Sequence, residues 1–68
     1  MADGRPSPVK DVFIIIEGNI YHGAYFTQNS TVYLRSPFGS KTTQIGGMPP
    51  EEVAKFMLSE LVRAAPRD

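Results

Sequence analysis

The chain has 68 residues, no cysteine, and seven basic residues against seven acidic ones, for a formal charge of zero. Its length allows one small domain, the missing cysteines exclude a disulfide staple and a thiolate zinc site, and the balanced charge argues against a protein that grips nucleic acid mainly by its phosphates. A domain of this size buries only about 60% of the surface its unfolded chain exposes, so added stability has to come from good packing or from association.

Residues 1–8 hold Gly4, Pro6 and Pro8 and nothing to bury, and they read as a disordered arm. They carry no apolar run of the kind a secretory signal needs. The longest apolar run in the chain, Val12-Phe13-Ile14-Ile15-Ile16, is far shorter than the roughly 20 residues of a membrane span. Together with the absence of cysteine, this leads to the expectation of a cytoplasmic protein with no membrane contact.

Residues 9–17 are expected to form the first strand. Successive side chains of a strand point to opposite faces, so a run that is apolar at every position is apolar on both faces. Gly18-Asn19 suits a type II′ hairpin turn with Gly first, and residues 20–27 make the second strand. Pairing Glu17 with Ile20 places Val12, Ile14, Ile16, Tyr21, Gly23 and Tyr25 on one face. Phe13, Ile15, Ile20, His22, Ala24 and Phe26 then share the other. Either set could serve as a core.

Residues 28–30 form a turn by composition, and residues 31–36 the third strand. Asn29-Ser30-Thr31 matches a glycosylation sequon but is read as part of this turn. Pro37-Phe38-Gly39 fits a tight hairpin loop. Residues 40–45 are short and polar, as suits an edge strand. The register of the last two hairpins is ambiguous by one residue, so their faces stay unassigned.

Gly46-Gly47 breaks the strand pattern, and Pro49-Pro50-Glu51-Glu52 opens a helix over residues 50–64. Proline is tolerated in the first turn, and acidic groups there complement the helix dipole. Val53, Ala54, Met57, Leu58, Leu61 and Ala65 fall on one stripe. Glu51–Lys55 and Glu60–Arg63 are spaced to pair along the helix. Phe56 lies off the stripe, between Glu52 and Glu60, where it either flanks the core or stands as an exposed anchor. Residues 66–68 read as a frayed tail. The expected fold is α+β: a four-stranded antiparallel β-meander followed by one C-terminal amphipathic helix packed on one sheet face, with the domain spanning residues 9–65.

Candidate chemistry is sparse. His22 is the sole histidine and no cysteine accompanies it, so neither a metal site nor a nucleophile–base pair is legible. Gly46-Gly47 ahead of a helix suggests a phosphate cradle, but Pro49 and Pro50 lack the N–H donors such a cradle needs, and Glu51 and Glu52 would repel the anion. Asp11 and Glu17 stand about 20 Å apart at strand rise, too far to act as a paired acid and base. No cofactor, no metal and no enzymatic activity are expected.

One helix covers one face. The expected function is therefore a small interaction module that binds a protein partner, most simply a second copy of itself, through the bare face. Tyr21 and Tyr25, or alternatively His22 and Phe26, would lie at the contact, according to the face the helix takes. Two other readings stand beside it. One is a single-stranded nucleic-acid binder using the sheet aromatics with Arg35 and Lys41. The other is an accessory or inhibitory subunit that docks through Phe56 and the helix exterior.

Overall fold

The computed structural model describes residues 7–65. The elements are β1 (Lys10–Ile16), β2 (Asn19–Gln28), β3 (Thr31–Ser36), β4 (Gly39–Gln44) and α1 (Pro50–Ala64). The strands form one antiparallel sheet in the order β1-β2-β3-β4, and α1 contacts all four of them. This is the expected α+β meander with a C-terminal helix. The expected arm at residues 1–8 and tail at residues 66–68 fall outside the described residues, except for Ser7 and Pro8. Ser7 is held at the end of β2: its N–H donates to the Thr27 carbonyl at 2.7 Å, and the Thr27 N–H donates to Ser7 Oγ at 2.8 Å.

The first turn differs from the expected type II′ at Gly18-Asn19. The turn residues are Glu17 (φ 51°) and Gly18 (φ 82°), closed by the pair Ile16–Asn19. Two consecutive positive φ angles make this a type I′ turn, whose twist matches that of the flanking strands. Gly18 takes the second left-handed position without penalty. Glu17 occupies the first at a cost of about 1 kcal/mol. Ile20 pairs with Ile15, not Glu17, so the register moves by two residues. A shift of two leaves every side chain on its expected face, whereas a shift of one would invert them all. Asn29 (φ 52°) and Ser30 (φ 61°) make the second turn in the same way. In the third, Ser36 Oγ accepts from the Phe38 N–H at 3.1 Å and donates to the Gly39 carbonyl at 3.0 Å, bracing Pro37-Phe38.

The helix covers the face that carries Val12 and Tyr25. Tyr25 lies opposite Leu34 and Thr27 opposite Val32, so Val32 and Leu34 share that face. The core is Val12, Tyr25, Val32 and Leu34 from the sheet and Val53, Ala54, Met57 and Leu58 from α1, with Ile14, Phe38, Ile45, Leu61 and Val62 packed around it. Gly23 lets β2 and β3 approach closely here: a Cβ at this position would lie 3.1 Å from the Arg35 carbonyl oxygen and 3.4 Å from Leu34.

Helix α1 begins after Pro49, with Glu51 and Glu52 in its first turn and Arg63 in its last. Lys55 pairs with Glu51 at 3.4 Å and reaches Glu52 at 3.9 Å. Glu60 does not pair with Arg63. It pairs with Lys41 of β4 at 2.7 Å instead, tying the helix to the sheet edge.

Candidate interaction face

The sheet face turned away from α1 is built from alternate positions on every strand. Directly opposed residues define its rows. Ile15 faces Ile20, Phe13 faces His22, and Asp11 faces Ala24, which in turn faces Arg35 and then Ser40. Phe26 faces Tyr33, which faces Thr42. Phe13, Ile15 and Ile20 are 52%, 62% and 57% exposed. Side chains of this size and exposure lying next to one another form a contiguous apolar patch, not the scattered exposed residues of an ordinary surface.

Aromatic contacts order the patch. The Phe13 and His22 rings sit 6.0 Å apart in a tilted pair, and Phe26 and Tyr33 are stacked at 4.8 Å with an interplanar angle of 8°. Beside the stacked pair, Phe26, Tyr33, Arg35, Ser40 and Thr42 help line an open depression of about 390 Å³. His22 stands within the patch opposite Phe13, and Ser40 and Thr42 lie at the β4 edge. Its charged side chains, Asp11 and Arg35, occupy one row on either side of Ala24. Each is exposed, and neither has an ion-pair partner among the described residues.

The expected contact residues divide between the two faces. His22, Phe26 and Arg35 lie on the open face. Tyr25 is 6% exposed and belongs to the core. Tyr21 is half-buried on the helix side, with its ring edge-on to Phe38 at 5.5 Å. Tyr21 and Tyr25 are therefore not available to a partner at the bare face, because α1 takes their side. Lys41 is also on the helix side, opposite Leu34; it helps line the depression beside Arg35 and the aromatics, but its ammonium is bonded to Glu60. Phe56 is 63% exposed on the helix exterior and does not flank the core. Asp11 and Tyr33 belong to the open face but were not among the expected contacts. The period-two pattern carries both once the register is known.

Among the described residues no three His, Asp or Glu side chains gather where they could hold a metal. No helix there is long and apolar enough to cross a membrane. A shallow cavity on the helix side, between Ser7, Tyr25 and Pro49, has a volume of about 260 Å³, with Lys10 and Glu51 among its lining residues. Compared with family models, curated proteins and solved structures, the chain matches none. A functional reading therefore rests on the geometry of the open face.

Proposed function

We propose that the chain is a non-enzymatic interaction module that self-associates through its open sheet face. The observation that carries this reading is the contiguous exposure of Phe13, Ile15 and Ile20 beside the Phe26–Tyr33 stack, on a face that none of the described elements covers. Water around such a patch is released when it meets another apolar surface, and the gain scales with the area removed from solvent. Association also adds stability to a domain too small to bury much surface alone.

Single-stranded nucleic acid is less well supported as the partner. Arg35 is the sole Lys or Arg on the open face among the described residues, since Lys10 and Lys41 lie on the helix side. The stacked rings of Phe26 and Tyr33 already occupy each other's inner faces, leaving less aromatic surface for bases. Phe56 is a lone exposed ring on the helix exterior, and it supports a separate docking role only weakly. Phe56→Ala should leave folding and self-association unchanged, and loss of either would place Phe56 in the core or at the interface.

The test is absolute mass by light scattering after size-exclusion, from micromolar to near-millimolar protein. A mass rising toward twice 7.5 kDa is expected, with little dependence on salt. A monomer at every concentration overturns self-association. Binding of single strands that weakens steeply with salt would favour nucleic acid instead.

A further inference from the structure

Resting on that reading, we infer that the second copy docks face to face about a twofold axis parallel to β2, so that Asp11 of each copy meets Arg35 of the other. Ala24 lies between Asp11 and Arg35 in one row across three strands. Neighbouring strands are about 4.8 Å apart, so the two backbone positions stand on the order of 10 Å from each other, symmetrically about β2. Neither side chain has an ion-pair partner among the described residues, and the two are placed to pair between copies.

The symmetry decides the mode. A closed homodimer is isologous: if one residue contacts a second, the second contacts the first. A twofold running along β2 exchanges the β1 side of one copy with the β3 side of the other. Asp11 then lies over the partner copy's Arg35 and Arg35 over its Asp11, giving two equivalent pairs. A twofold running across the strands places β1 over β1. Asp11 then meets Asp11, Phe13 or Ile15, the open-face residues of that strand, whatever the offset. It therefore buries a carboxylate against its like or against hydrocarbon, and either is strongly unfavourable. Of these two axes, the first satisfies both charges of the face.

The remaining contacts suit this axis. The side chains nearest β2 meet their own equivalents, so Ile20 packs on Ile20, His22 on His22 and Phe26 on Phe26, with the small Ala24 allowing close approach. Aligned sheets pack about 10 Å apart with their mean strand directions within about 30° of each other, and an axis along β2, which keeps the two β2 strands parallel, falls in that class. The footprint is on the order of 400 Å² per copy from strand spacing and rise. With side-chain relief this gives roughly 1,000 Å² in total, the lower end for a specific interface. The dimer is therefore expected to dissociate in the micromolar range and to depend on satisfying its central charges.

The decisive experiment uses two charge reversals in the full chain, Asp11→Arg and Arg35→Asp. Each variant alone sets two like-charged pairs against each other across the axis. Mixed in equal amounts, they form a heterodimer in which both pairs are opposite again. Sedimentation equilibrium should show each single variant dimerising at least about tenfold more weakly than the wild type. The mixture should recover to within about threefold of it. Circular dichroism checks that both variants fold, and Asp11→Asn with Arg35→Gln replaces the pair if either reversal does not.

If the wild type dimerises but the single variants are unweakened, or the mixture gains nothing over them, this axis is wrong while self-association stands. If the wild type stays monomeric at near-millimolar concentration, self-association itself fails and the axis fails with it.

Discussion

Val12 and Phe13 are neighbours in the chain, both apolar and both in β1, yet the first is 3% exposed and the second 52%. One step along a strand separates a residue in the core from one in solvent. The same division runs through β2, where Tyr25 is buried and its neighbours Ala24 and Phe26 lie on the other side. Composition therefore does not distinguish the two faces of the β1–β2 hairpin. What differs is company: one face has Val32 and Leu34 continuing it across β3 and an apolar helix stripe above. The other is continued by Tyr33 and Arg35 and has none of the described elements above it. The helix follows the face that is apolar across the most strands, and the leftover face is surface by default.

The contrast breaks most sharply at Leu34. Leu34→Ala removes a side chain 1% exposed at the centre of the sheet–helix contact, and should cost about 2–5 kcal/mol of unfolding free energy. Urea titration followed by circular dichroism reads this directly, and a loss below 1 kcal/mol would mean that the helix does not pack where it is drawn.

Gly23 and Ala24 offer a matched pair on opposite faces of one strand. Gly23→Val drives a branched side chain against the Arg35 carbonyl and Leu34, and should destabilise by about 1–3 kcal/mol. Ala24→Val adds bulk on the open side, so in dilute solution it should change stability by no more than about 0.5 kcal/mol. Equal effects from the two would erase the distinction between the faces.

Phe13→Ser sharpens the comparison from the other side. Truncating a buried Phe costs several kcal/mol, whereas this ring, half in solvent, should cost at most about 1 kcal/mol at micromolar concentration. The same variant should lose the concentration-dependent rise in mass. The smallest effect belongs to Lys41→Ala at the rim of the helix face. Its ion pair with Glu60 has both side chains about two-fifths exposed and should contribute no more than about 0.5 kcal/mol.

Much of this architecture was legible in the sequence. The third strand and the helix have the expected bounds, because β3 is flanked by strong turn residues and α1 by Pro-Pro-Glu-Glu and a clean apolar stripe. The first turn was displaced because Glu is a poor predictor of a left-handed position. The faces survived because the displacement was even. Which face the helix would take was not readable from the first hairpin, whose two sides are equally apolar. It becomes readable when Asn29-Ser30 is taken as a two-residue turn, since that pairing puts Leu34 opposite Tyr25. Leaving that register open is also what kept Lys41 beside Arg35 in the sequence reading. Phe56 illustrates a different gap: the helical pattern placed it off the stripe, but whether a loop would cover it depended on tertiary structure.

The order of elements along the chain bears on how the protein is made. Every strand pairs with the one synthesised just before it, and such hairpins close in about 1–10 μs. The helix that covers Val32 and Leu34 begins only at Pro50. Until that segment folds back, the sheet shows water two greasy sides, and other unfinished molecules meet them as readily as the helix does. Residues 50–64 thus act last, as the segment that takes one of those sides out of reach and leaves only the other for encounters between finished molecules.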